Sequence, residues 1–101
     1  QAFIECLYLA PKLYNYVDLF YIMEQLTVLR ADVLQLLLEE VEHYRVRRLF
    51  LYMAEKAGHA WFDDLDVSRI DIGSHKHQLV KDGAYVAKYK MTIPKELYNY
   101  E

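Results

Sequence analysis

The first 59 residues have the hydrophobic spacing of amphipathic helices. Apolar side chains recur three and four positions apart in four successive stripes, at residues 4–8, 19–26, 34–41 and 46–57. Pro11 is expected to end the first helix, Asp18 to cap the second, and Gly58 to end the fourth in a left-handed conformation. The pattern predicts a bundle of about four helices.

The boundary between the third and fourth helices has no glycine or proline to mark it. The two stripes are nevertheless out of phase, by about 120° at 100° per residue, so one straight helix cannot bury both. We therefore predict a break or sharp kink near residues 43–45.

After Gly58 the pattern changes. Residues 77–93 predict a β-hairpin: Gln78 to Lys81 leads into the turn Asp82-Gly83, and the return strand alternates up to Pro94. In that strand one face carries Tyr89, Met91 and Ile93 and the other carries Lys88, Lys90 and Thr92. The predicted class is α+β: a helical part over 1–59, then a small hairpin or sheet within 60–101, all in a single domain of residues 1–101.

Composition and length fit a small folded domain. The 101 residues suit one domain. Apolar runs such as Leu36–Leu38 are too short for a membrane span. The single Cys6 cannot form an intramolecular disulfide, which suits a cytoplasmic protein. Because the chain begins at Gln1 without a methionine or a signal peptide, we expect it to be part of a longer protein.

The net charge of −3 hides an uneven distribution. Residues 1–43 carry two basic and seven acidic groups, whereas residues 68–95 carry six basic and two acidic groups. Basic side chains of this second half are candidates for binding a phosphate backbone. The candidates are Arg45, Arg47, Arg48, Lys76, Lys81, Lys88 and Lys90.

Each group of candidates also has a structural interpretation. Lysines on the exposed face of an edge strand prevent edge-to-edge aggregation. The arginines fall at the start of a predicted helix, where they oppose the helix dipole, so they need either glutamates 39, 40 and 42 or an acidic partner.

Signals for catalysis are weak. The sequence has no phosphate-binding glycine loop, nucleophile elbow or HExxH motif, and one cysteine excludes a cysteine-based zinc site. His75 and His77, with Asp71 or Asp82, form a weak candidate for a metal site and for metal-assisted hydrolysis. We expect a protein that is not an enzyme and has no metal or cofactor.

Five segments carry a resemblance to a known family: residues 47–52, 54–62, 65–74, 79–83 and 89–94. In order and content they resemble the AbiEi family of transcriptional regulators, the antitoxins of type IV toxin–antitoxin systems that act in abortive infection. The first three helices fit this family in pattern only. The chain departs from the family pattern at Asp82, where the family tends to have glycine, and at His75-Lys76-His77, where it favours a glycine and basic residues.

The resemblance implies a two-part protein. An N-terminal winged helix-turn-helix domain, missing from this chain, would bind operator DNA. This C-terminal domain would neutralise a nucleotidyltransferase-like toxin, without a stable complex, and assist repression. Family members present a basic face in this domain, to which the seven candidates above correspond most closely.

Two functional hypotheses follow. In the first, the domain binds operator DNA, or an RNA that the toxin also needs, through its basic side chains. The alternative is a protein-interaction or self-association module without affinity for nucleic acid, in which the acidic bundle docks a basic partner or a second copy.

Overall fold

A computed structural model describes residues 2–100 and shows helices followed by a small sheet. The helices are α1 (Ala2–Leu9), α2 (Tyr16–Gln25), α3 (Ala31–Glu40), α4 (Tyr44–Ala57) and α5 (Lys95–Tyr98). The strands are β1 (His77–Gln78), β2 (Ala84–Val86) and β3 (Met91–Ile93), with short 3₁₀ turns at residues 60–64, 67–69 and 87–89. The predicted α+β class is confirmed. Among the described helices, none has both the length and the apolar character needed to cross a membrane.

Helix α4 is the centre of the domain. Its consecutive residues Leu49, Phe50 and Leu51 are all buried, although successive side chains of a helix point about 100° apart. Neighbours must therefore cover several sides of this helix. Helices α1 and α2 pack directly against it.

Three of the four helix boundaries predicted from the sequence agree with the structure. Helix α1 ends at Leu9, just before the predicted stop at Pro11. Helix α3 ends at Glu40 and α4 begins at Tyr44, so the predicted break is confirmed. Gly58 ends α4 with a φ of 74°, also as predicted. The prediction of Asp18 as a cap is wrong. Helix α2 starts at Tyr16, three residues earlier than a cap at Asp18 requires, and the side chain of Asn15 accepts the backbone N–H groups of Val17 and Asp18.

The three strands form a sheet of order β1-β3-β2. Strand β1 pairs with β3 in parallel, and β2 pairs with β3 antiparallel. The predicted hairpin between residues 78–81 and the last strand is therefore wrong. The turn at Asp82-Gly83 leads instead into β2, and β2 forms the hairpin with β3 through residues 87–90.

Gly83 allows β2 to begin close to β3. A Cβ atom at this position would lie 2.2 Å from the backbone oxygen of Ile93, a contact that no side chain can make. On the returning segment, Lys88 lies in a 3₁₀ turn, and Lys90 has a left-handed φ of 52°. The two lysines therefore do not share one strand, contrary to the sequence prediction.

Candidate nucleic-acid interface

Arg45 binds the C-terminal end of helix α1. Its Nη1 atom donates hydrogen bonds to the backbone oxygens of Leu7 (3.1 Å) and Ala10 (3.3 Å). Its Nη2 atom donates to the backbone oxygen of Tyr8 at 3.1 Å. The last turn of a helix leaves its carbonyls without donors from the helix itself, and Arg45 supplies donors there, in addition to the backbone N–H of Ala10 that reaches the oxygen of Leu7 at 3.4 Å. Arg45, near the start of α4, thus donates hydrogen bonds to the C-terminal end of α1.

Arg47 makes the same kind of contact with helix α3. Its Nη2 atom donates to the backbone oxygen of Glu39, and its Nη1 atom to that of Asp71, both at 2.7 Å. The acceptor on Glu39 is the main chain and not the carboxylate. Arg47 therefore joins the end of α3 to the loop that follows residue 70.

Arg48 is fully buried, with 0% of its surface exposed. Its Nε atom donates to the backbone oxygen of Ile72 at 2.7 Å, and its Nη1 atom to that of Lys90 at 2.8 Å. Burial lowers the pKa of this guanidinium from its ordinary value. The side chain ties α4 to the loop before β1 and to the residue before β3.

The three arginines thus donate hydrogen bonds to backbone carbonyls within the domain. Within residues 2–100 none of the three forms a salt bridge, so the glutamates at positions 39, 40 and 42 do not neutralise them. Their charge is unfavourable at the N-terminus of α4 but favourable at the C-terminal ends of α1 and α3, where it offsets the dipoles of those helices. Arg48 has no solvent-exposed surface, and Arg45 and Arg47 are only partly exposed.

Two of the candidate lysines lie side by side. The parallel pairing of His77 with Met91 places Lys76 next to Lys90 in the preceding position. The backbone N–H of His77 donates to the oxygen of Lys90 at 2.9 Å, which fixes this register. Lys76 is exposed and Lys90 partly exposed.

An exposed aromatic ring completes this surface. Tyr85 on β2 is in register with Thr92 on β3, which in turn pairs with Gln78 on β1. The ring of Tyr85 is 45% exposed, and the Nζ atom of Lys76 lies 5.3 Å from its centroid. We call this side of the sheet, away from the core, the outer sheet face; its residues are Lys76, Gln78, Tyr85 and Thr92, with Lys90 at its edge, where the left-handed backbone interrupts the strand alternation.

Lys88 is held against α4. Its Nζ atom bonds to a carboxylate oxygen of Glu55 at 2.5 Å, and the hydroxyl of Tyr89 donates to the other oxygen at 2.7 Å. Burial raises the pKa of Glu55, but the two hydrogen bonds and the charge of Lys88 lower it more, and the net shift is downward. Lys81 is exposed in the segment between β1 and β2 and forms no ion pair with any described residue.

An open cavity of about 440 Å³ lies where the start of α4 meets the loop before β1. Its lining residues are Tyr44, Arg48, Asp71, Gly73, Ser74, His75 and His77. The pKa of His77 is lowered, first by burial and then by the positive charges of Arg48, His75 and Arg45. In the part of the chain that the structure describes, no group of three or more His, Cys, Asp or Glu side chains could hold a metal ion.

Comparison with known proteins gives one match. The family model described as "Transcriptional regulator, AbiEi antitoxin, Type IV TA system" matches residues 1–94. The chain belongs to the AbiEi antitoxin family. No curated protein and no solved structure matches the chain significantly.

Membership of the AbiEi family confirms the resemblance seen in the sequence and extends it to the first helices. It also implies a toxin partner and a regulatory role. Within this AbiEi chain, reasoning from sequence missed Tyr85, because residues 84–86 were assigned to the connection of a hairpin. The alternation of Ala84, Tyr85 and Val86 was the available signal for a third strand.

Proposed function

We propose that this AbiEi chain is the C-terminal antitoxin and autoregulatory domain of a transcriptional regulator, and that it binds nucleic acid through the outer sheet face. The observation that carries the proposal is the register that sets Lys76 beside Lys90. Neither lysine forms an ion pair with another described residue, so both charges are available to an outside anion.

The composition of the face suits a nucleic-acid strand. Paired ammonium groups attract neighbouring phosphates along a backbone. An exposed aromatic ring such as Tyr85 offers a surface on which a base stacks, a contact worth about 1–3 kcal/mol in single-strand binding. Gln78 and Thr92 add hydrogen-bonding groups between them.

The arginines support this face without touching the ligand. Arg48 holds the backbone oxygen of Lys90, and Arg47 holds that of Asp71, in the loop that leads to Lys76. They are positioning residues of the interface. Of the other lysines, Lys81 extends the basic surface, while Lys88 contributes less because Glu55 already neutralises it.

The partners follow from the family. We propose operator DNA, or an RNA, as the ligand, and a nucleotidyltransferase-like toxin as a functional partner that forms no stable complex with this domain. The domain acts in the cytoplasm by binding and not by catalysis, and it uses no cofactor.

The test compares two doubly substituted proteins of equal charge. Lys76→Gln/Lys90→Gln changes the outer sheet face, and Lys12→Gln/Lys95→Gln changes two exposed lysines elsewhere. Fluorescence anisotropy with labelled single-stranded and duplex oligonucleotides should show about tenfold weaker binding for the first protein and near-normal binding for the control. Equal affinities of the two variants, or no binding by the unchanged chain, would contradict the proposal.

A second candidate function, self-association, is favoured by an apolar surface on the helical part. Leu29, Val33, Leu34 and Leu37 line a hollow of about 140 Å³, and the nearby Val28 is 89% exposed. Contiguous exposed apolar surface of this kind marks interaction sites. Sedimentation equilibrium decides between the two: a dimer without affinity for oligonucleotides supports self-association, and a monomer that binds them supports the nucleic-acid interface.

A further inference from the structure

The cavity beside the sheet contains an unsatisfied donor. Arg48 lines this cavity and is fully buried. Its Nε and Nη1 atoms have carbonyl partners, but its Nη2 atom has no hydrogen-bond partner among the described residues. Because a buried charged N–H group without an acceptor costs free energy, this atom marks a place where an acceptor is missing.

The surroundings of Nη2 explain why no protein group fills this place. The loop passes so close that a Cβ atom at Gly73 would lie 3.3 Å from Nη2 and 2.9 Å from Cδ2 of Tyr44. Tyr44 lines the cavity beside Gly73, is 42% exposed, and makes a long, 3.4 Å contact from its hydroxyl to Asp71. Because Nη2 is itself buried, a ligand that reaches it has to displace a neighbouring side chain.

Basic side chains line the cavity. His75 and His77 lie beside Arg48, and the positive charge of Arg45, one turn earlier on α4, also acts on His77. One carboxylate, that of Asp71, also lines it. That carboxylate already accepts the backbone N–H of Gly73 at 2.9 Å and faces the hydroxyl of Tyr44.

We propose that this cavity binds the dianion of a phosphate monoester. The three acceptor oxygens of such a group match the donors that the lining residues carry: Nη2 of Arg48, the ring nitrogens of His75 and His77, and the hydroxyl of Ser74. A carboxylate ligand has fewer acceptor oxygens and less charge, and it would leave part of this donor set unpaired.

Two kinds of ligand carry a phosphate monoester: a nucleic-acid strand with a phosphorylated end, and a free mononucleotide. The cavity adjoins Lys76, which follows His75 directly in the chain and belongs to the outer sheet face. The phosphate site stands on its own geometry and does not require the nucleic-acid contact proposed above.

The test follows the ring signals of the two histidines by NMR during pH titrations with inorganic phosphate, and with sodium chloride at matched ionic strength. Phosphate should raise the pKa of His77 by about half a unit or more, because a neighbouring dianion favours the imidazolium form. Equal titration curves in phosphate and chloride would overturn the proposal.

Substitutions in the cavity locate the ligand without disturbing the buried arginine. Asp71→Asn keeps an oxygen for the N–H of Gly73 but removes the opposing charge, so phosphate should bind several-fold more tightly. His75→Gln and Ser74→Ala should each weaken binding several-fold, and His43→Gln, an exposed histidine outside the lining, should leave it unchanged. Unaltered affinity in Asp71→Asn and His75→Gln would place the anion elsewhere and refute the site.

Two further titrations separate the sources. Adenosine monophosphate probes the free nucleotide, and an oligonucleotide with a terminal phosphate is compared with the same strand ending in hydroxyls. Stronger binding of the phosphorylated strand than of its hydroxyl form supports a strand end, and binding of the mononucleotide alone supports a free nucleotide. The strand that ends in hydroxyls still tests binding to Lys76 and Lys90. A failure of the phosphate site is therefore distinguishable from a failure of the proposed nucleic-acid interface.

Discussion

Replacing Arg48 with methionine tests whether the buried guanidinium organises the domain. Methionine is similar in length and apolar, so it fills much of the same space. It cannot donate to the backbone oxygens of Ile72 and Lys90, which Arg48 binds at 2.7 and 2.8 Å. The oxygen of Ile72 is then left without a donor among the described residues, at a cost of about 1–3 kcal/mol, whereas the oxygen of Lys90 keeps the backbone N–H of His77.

Relief of the buried charge offsets part of this loss. The expected decrease in the free energy of unfolding is therefore about 1–3 kcal/mol, to be set against the roughly 5–15 kcal/mol that stabilises a typical domain. In urea denaturation followed by circular dichroism, the midpoint should fall by about 0.5–1.5 M.

The matched control is Arg69→Met. The side chain of Arg69 is 67% exposed and contacts Glu39 at 3.6 Å, so its removal should cost less than about 1 kcal/mol. Arg48→Lys should lie between the two, because one ammonium group cannot reproduce the planar fork of the guanidinium. If Arg48→Met is no less stable than Arg69→Met, the buried arginine does not hold the sheet to α4 and the reasoning is refuted.

Two more predictions concern stability. Burial and neighbouring cations lower the pKa of His77 below its ordinary value of 6.5 in the folded protein. As the pH falls, the unfolded chain therefore binds a proton at His77 before the folded chain does. The free energy of unfolding should therefore decrease from about pH 7 to pH 5, and it should decrease less steeply in His77→Gln. Parallel pH profiles of the two proteins, measured by urea denaturation, would contradict this. Gly83→Ala should lower the free energy of unfolding by about 2–4 kcal/mol, because its Cβ would lie 2.2 Å from the oxygen of Ile93. A thermal midpoint within 2–3 °C of the unchanged chain would show that β2 can shift aside.

The helices could be predicted because their signals are local. Apolar spacing placed four stripes, the phase difference between two of them required a break before α4, and a glycine marked the end of that helix. The cap of α2 was misassigned because Asn15 and Asp18 are both good capping residues. Only the position at which the backbone becomes helical shows which of the two residues is the cap.

The sheet was harder because its strands are only two or three residues long. A strand of two residues shows no alternation, so the sequence cannot reveal that β1 runs parallel to β3. The alternation observed at residues 88–93 is also misleading, since it continues through a 3₁₀ turn and through the left-handed Lys90.

The hydrogen-bond partners of the arginines are residues that lie far away in the sequence. The acceptors of Arg45 lie at residues 7–10, and one acceptor of Arg48 lies at residue 90. The sequence showed that three cations at a helix start need a partner. It could not show that backbone carbonyls at the ends of other helices provide it. For the same reason the pairing of Lys76 with Lys90 became visible only once the register of β1 and β3 was known.

The salt dependence of oligonucleotide binding tests most directly whether the outer sheet face contacts phosphates. The logarithm of the binding constant should fall linearly with the logarithm of salt concentration for the unchanged chain and for Lys12→Gln/Lys95→Gln. In Lys76→Gln/Lys90→Gln the slope should be shallower by about 1.4–1.8, the contribution of two phosphate contacts. The same slope in all three proteins would show that Lys76 and Lys90 do not contact the backbone, and the proposed interface would be wrong.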